Sequence, residues 1–85
     1  MKVKVLFFAG LREQLGTPGL EIELPAGVST VAGLKSHLSE KGASWKEALS
    51  GKKLVRAAVN QDMVEQGAAL KAGDEIAFFP PVTGG

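Results

Sequence analysis

The sequence predicts a small α+β domain, a mixed sheet with helices on one face. Three observations carry that expectation. Residues 2–8 give a strand with one apolar and one mixed face, and residues 20–24 alternate strictly between apolar and polar side chains. Residues 54–60 and 75–79 are further apolar runs bounded by turn residues. Between the two groups, Val31, Leu34 and Leu38 repeat at i, i+3 and i+7, so a helix must cross the sheet.

The first strand places Val3, Val5 and Phe7 on one face and Lys2, Lys4, Leu6 and Phe8 on the other. A short helical turn follows, stopped by Gly16, with Pro18-Gly19 as a turn signal. Leu20, Ile22 and Leu24 point inward from the second strand while Glu21 and Glu23 point out, and Pro25-Ala26-Gly27 closes it. Ser29 or Thr30 caps the crossover helix, which Gly42 should stop. Gly33 costs that helix about 1 kcal/mol relative to Ala, which close packing against the sheet would explain. Ser44 and Glu47 have capping-box spacing for a second short helix ending at Gly51. Val55, Ala57 and Val59 share one side of the third strand, Asn60-Gln61-Asp62 is a turn, and residues 63–65 form a short strand. Loops at 66–67 and 71–74 lead to the last strand at 75–79. The order strand, strand, helix, strand, short strand, strand matches a β-grasp, or ubiquitin-like, roll over residues 1–79. Residues 80–85 are expected to form an extended tail.

Composition narrows the function. Eighty-five residues, 45% hydrophobic and 22% charged, suit one globular domain. Ten Lys and Arg against nine Asp and Glu give a net charge of +1. That is not the basic balance of a phosphate-tracking surface, so neither nucleic acid nor membrane is an expected partner. Cysteine is absent and His37 is the single histidine, which removes thiol nucleophiles, Cys-based metal sites and most triads. Asp62, Glu65, Asp74 and Glu75 lack EF-hand spacing, so no metal and no bound cofactor is expected. The first residues carry no export signal, which makes a cytoplasmic location the expectation.

The end of the chain is where chemistry is left. Pro80 and Pro81 lack the amide that would continue a ladder, so the strand ends at Phe79 and the tail leaves the sheet along a polyproline-like path. Six residues at about 3.3 Å each reach roughly 20 Å, far enough to enter another protein's active site. Gly84-Gly85 has no side chains and suits a narrow channel. A di-glycine end also fits a frayed terminus, an expression scar or a truncated linker. A rigid Pro-Pro preceded by an apolar strand favours a functional extension instead. A terminal carboxylate, with a pKa near 3.5, is ionised at pH 7 and is a poor electrophile. Adenylation by an ATP-using enzyme would activate it. A sulfur nucleophile would then make a thiocarboxylate, and a lysine amine would make an isopeptide bond.

Several stretches resemble the small subunit of molybdopterin synthase, the ubiquitin-like sulfur carrier family of molybdenum cofactor biosynthesis. They are Lys4-Val5-Leu6-Phe7-Phe8-Ala9, Arg12-Glu13, Ala57-Ala58-Val59-Asn60-Gln61, and Gly73-Asp74-Glu75-Ile76-Ala77-Phe78-Phe79-Pro80-Pro81-Val82-Thr83-Gly84-Gly85. The resemblance implies that Gly85 is adenylated, converted to a thiocarboxylate and inserted into the large subunit, led by Pro80, Pro81, Val82, Thr83 and Gly84. There it would donate sulfur to cyclic pyranopterin monophosphate. It further implies a heterotetramer of two small and two large subunits, an adenylating enzyme that uses ATP, and a sulfur donor such as a cysteine desulfurase or a rhodanese-like protein. The small subunit would be non-catalytic. The thiamin-pathway carrier shares the Gly-Gly end, but the Phe-Phe-Pro-Pro-Val segment argues against it. A ubiquitin-like modifier joined to lysines and a plain interaction domain with an inert tail would fit such an end as well.

The aromatic pairs Phe7-Phe8 and Phe78-Phe79 bear on the partner surface, because neighbours on a strand face opposite ways. With Phe7 and Phe78 under the helix beside Ile22, Leu34 and Leu38, Phe8 and Phe79 lie on the other face near Leu6, Leu54 and Ala58. An uncovered apolar patch there would be a partner interface; alternatively, residues 63–70 cover Leu6 and Phe8. Arg12 is a further interface candidate. His37 is expected at the boundary of the helix stripe, and Lys46, Lys52, Lys53 and Arg56 form a solvated basic set able to steer an acidic partner.

Overall fold

In the computed structural model, which describes residues 1–50 and 54–80, the chain runs through eight elements: β1 (Lys2–Phe7), α1 (Gly10–Leu15), β2 (Gly19–Glu23), α2 (Val31–Ser39), α3 (Ala43–Ser50), β3 (Arg56–Val59), β4 (Asp62–Val64) and β5 (Glu75–Phe79). The strands form one mixed sheet in the order β2-β1-β5-β3-β4. Only β1 and β5 pair in parallel, with Phe7 opposite Phe78, and the other three pairings are antiparallel. The last strand is therefore inserted at the centre of the sheet. This is the β-grasp arrangement.

The period-2 pattern becomes the inner face of the sheet. Val3, Val5 and Phe7 of β1, Ile76 and Phe78 of β5 and Ala57 of β3 are all buried, and they pack on Leu11, Val31, Leu34, Leu38, Ala48 and Leu49 from the helices. Phe7 stacks on Phe78 with ring centroids 6.3 Å apart and takes the edge of Trp45 at 5.5 Å. Trp45 in turn carries the Lys41 ammonium 5.4 Å from its ring. Ile22 is half-buried against the same core.

Helix ends follow local chemistry, with three departures from expectation. Gly16 stops α1 in the left-handed conformation, its N–H donating to Arg12 O. Thr30, rather than Ser29, caps α2 by accepting the Gly33 N–H at 3.1 Å. Gly33 is not set against the sheet: an added Cβ would crowd Thr30 Oγ1 at 3.3 Å and Val28 Cγ1 at 3.4 Å, so the cap itself needs the space. Gly42 does not stop α2, which ends at Ser39 with Glu40 donating back to His37 O. Gly42 instead opens α3, its carbonyl accepting the Lys46 N–H, and this puts Ser44 inside the helix instead of at the cap.

The segment from Glu65 to Leu70 seals the start of α2. Val31 and Ala32 donate to Ala68 O and Gln66 O, Leu70 donates to Ser29 O, and Thr30 bridges Ala69. It therefore lies on the helix side and does not cover Leu6 and Phe8.

Candidate functional site

Among the described residues no helix lies on the second face of the sheet, whose residues divide by strand parity and register. One row crosses all five strands: Gly19, Leu6, Ala77, Ala58 and Met63 stand opposite one another in turn. Alanine and glycine leave this row low, so Leu6 and Met63 stand above it. At the next level towards the end of β5, Phe79 pairs with Arg56, and Phe8 donates its N–H to Phe78 O at 3.1 Å. Phe8, Leu54 and Met63 are 46%, 63% and 56% exposed, and Phe79 is half-buried. The other end of the face is charged. Lys4 stands between Glu21 and Glu75, Lys2 lies 3.7 Å from Glu21, and the terminal ammonium of Met1 lies 2.9 Å from Glu23. Hydrogen bonding to that ammonium, together with its charge, lowers the Glu23 pKa.

The apolar half of this face surrounds the point where β5 ends. Because β5 lies between β1 and β3, Pro80 begins in the middle of the sheet, directly after Phe79, which stands opposite Arg56, and close to Phe8, whose N–H is held by Phe78 O. Pro80 itself is half-buried, and Pro81, Val82, Thr83, Gly84 and Gly85 lie outside the described residues. Of the residues expected near Phe8 and Phe79, Leu6 and Ala58 share one row with Ala58 buried as its floor, and Leu54 is exposed ahead of β3.

Other candidates separate. Arg12 is exposed on α1, reached from Phe8 through the Ala9-Gly10 turn. His37 is a half-buried boundary residue of α2. Lys46 sits on α3 in the helical layer, whereas Arg56 lies on the open sheet face, so these two do not form one basic patch. Lys52 and Lys53 lie outside the described residues. Among the described residues no group of three His, Cys, Asp or Glu is placed to hold a metal, and no helix is long and apolar enough to cross a membrane.

Met63 and Ala77 belong to the face although sequence reasoning did not place them there. Strand parity alone puts Ala77 beside Phe79, and the signal for Met63 was the two-residue Asn60-Gln61 turn, which fixes Ala58 opposite Met63. Asp74 is a second omission: it is buried, with its carboxylate accepting from the Lys71 N–H at 2.8 Å and the Asn60 amide at 3.0 Å.

Comparison with known proteins agrees with this geometry. The model described as the ThiS family matches residues 5–85. The molybdopterin synthase sulfur carrier subunit of Escherichia coli (strain K12) is 48% identical over 83 residues, covering 98% of this chain and 99% of that protein. Among solved structures, SAMP1 from Haloferax volcanii has a TM-score of 0.81 at 27% identity, with all of both chains covered. A protein–protein complex of subunits 1 and 2 of molybdopterin-converting factor from Helicobacter pylori 26695 matches with a TM-score of 0.70 at 29% identity, again with both chains fully covered. A β-grasp core, an apolar sheet face around the root of a Gly-Gly end and this degree of identity agree, and the chain belongs to the ThiS family, among the molybdopterin synthase sulfur carrier subunits.

Proposed function

We propose that this chain carries sulfur on the carboxylate of Gly85 and delivers it inside the large subunit of a molybdopterin synthase. An activating enzyme transfers AMP from ATP to that carboxylate, releasing pyrophosphate and leaving a mixed anhydride. A persulfide on a cysteine desulfurase or rhodanese-like donor then attacks the Gly85 carbonyl and displaces AMP, and a second thiol cleaves the resulting acyl disulfide, leaving a terminal thiocarboxylate and a disulfide on the donor side. In the large subunit this group gives its sulfur to cyclic pyranopterin monophosphate. The dithiolene of molybdopterin needs two such deliveries, which suits a heterotetramer of two small and two large subunits. Acid, base and substrate pocket come from the large subunit.

The observation that carries the reading is the sequence Phe-Phe-Pro-Pro-Val-Thr-Gly-Gly at residues 78–85, whose first two residues end the central strand of the sheet. An apolar face around the root of that segment lets a partner hold the domain while the end reaches inward. Phe8, Phe79 and Arg12 are the proposed contacts on this side.

Intact mass after co-expression with the activating enzyme tests the proposal. Replacement of one oxygen by sulfur at Gly85 is the expected result. A ladder of lysine conjugates would replace the carrier reading with a modifier, and an unchanged mass in the presence of a competent activating enzyme and donor would remove both. Deleting Gly85, or adding one residue after it, should abolish sulfur transfer while leaving the urea midpoint within error of the unaltered chain. Transfer by either variant would move the chemistry elsewhere.

A further inference from the structure

The turn joining β1 to α1 places an alanine where the geometry asks for glycine. Ala9 has φ 53° and ψ −132°, and Leu11 N–H donates to Phe8 O at 3.2 Å. These values are close to the first corner of a type II′ turn, a position with φ above zero that glycine normally fills. The adjacent residue is a glycine, but it does not use its freedom. Gly10 is the first residue of α1, has no positive φ, and an added Cβ there would meet nothing within 4 Å. Exchanging the two residues would relieve the turn and improve the helix start.

The Ala9 methyl brings no packing in return. Ala9 is exposed and stands outside the hydrophobic core. A side chain that strains its backbone without packing in its own domain points to a role outside it. Its neighbour in sequence is the exposed Phe8, which is bonded through its N–H to β5 next to Phe79 and the root of the tail.

We propose that Ala9 is a specificity-determining contact for the large subunit: the strained turn holds its methyl group outward beside Phe8, where the partner's surface closes around the emerging tail. The inference rests on the proposed sulfur-carrier function. It assigns to Ala9 part of the binding free energy and none of the sulfur-transfer step.

The test is the exchanged variant Ala9→Gly with Gly10→Ala, beside each single substitution. The exchanged chain should melt about 5 °C higher than the unaltered one, as relief of a strained residue shifts a domain of this size. Its Kd for the large subunit should rise about fourfold, the value of one buried methyl group. The rate of sulfur transfer at saturating carrier should stay the same. Ala9→Gly alone should reproduce the affinity loss, and Gly10→Ala alone should leave affinity unchanged. An exchanged variant that binds as tightly as the original, or that is less stable than it, overturns the assignment. Failure of the unaltered chain to bind the large subunit would remove the carrier reading as well, whereas normal binding by both chains removes the role of Ala9 alone.

Discussion

Asp74 is the buried ionisable side chain among the described residues, and it joins three parts of the sheet. Its carboxylate takes the Lys71 N–H and the Asn60 amide, Asn60 Oδ1 takes the Glu75 N–H at 3.0 Å, and Asp74 O takes the Lys4 N–H. The Lys71 N–H, then the Asn60 amide, hold the Asp74 pKa below its ordinary value, against a smaller opposing effect of burial. A carboxylate with a lowered folded-state pKa contributes stability that is complete above its unfolded value, near 3.8, and is lost as pH falls through the lower folded value. Stability to urea should therefore be flat from neutral pH to about pH 5 and fall below about pH 4. Asp74→Asn should cost about 1–2 kcal/mol at pH 7 and flatten the acid limb; an unchanged acid limb would remove Asp74 from this role. In sequence Asp74 looks like one more acidic loop residue. Its partner Asn60 stands fourteen positions away, and no local pattern connects them.

At the scale of elements, the β3–β4 hairpin shows how much turn chemistry is legible. Asn60-Gln61-Asp62 reads as a turn in sequence, but the turn itself is Asn60-Gln61, with φ of 49° and 73° as a two-residue type I′ loop requires, and Asp62 already pairs with Val59 as the first residue of β4. Asparagine suits the first position, but glutamine carries a strain cost at the second that glycine avoids. Gln61→Gly is expected to stabilise the domain by roughly 0.5 kcal/mol, the strain relieved less the extra freedom of glycine when unfolded. The melting temperature should rise by about 2–4 °C; a fall would show that the Gln61 side chain stabilises the hairpin by another route. The α2–α3 connection is less legible. Gly42 can end one helix or open the next, and Ser44 can cap or sit inside, so local spacing fits both arrangements. The packing of α3 on α2 selects one, with Gly42 receiving the first bond of α3.

For the whole molecule, the two faces of one sheet differ in what covers them, and adjacent residues separate them. Phe78 is fully buried beneath the helices, while Phe79 lies half-buried on the open face beside Pro80. Phe78→Ala should cost about 3–5 kcal/mol of stability, as for other buried aromatic side chains. Phe79→Ala should cost roughly 1 kcal/mol of stability and raise the Kd for the large subunit at least tenfold, a loss of about 1.4 kcal/mol or more. Urea unfolding and calorimetric titration of both variants check the contrast. Equal affinity of Phe79→Ala and the unaltered chain would sink the proposed interface.

By itself the sequence determined where each strand and the crossover helix lie to within one or two residues at their ends, which side of each strand is apolar, and that little catalytic machinery is present. Those are local properties, written in a period of two or 3.6 residues and in the absence of cysteine. Strand order and register were decided only by the tertiary structure. Both depend on pairings between distant residues, such as Lys4 with Glu75 and Arg56 with Phe79. Only with β5 between β1 and β3 do Leu6, Ala77, Ala58 and Met63 fall into one row and does Phe8 bond to Phe78 O beside the end of β5. Alternation says that a side chain leaves the core; it takes the closed sheet to say which other side chains it meets there.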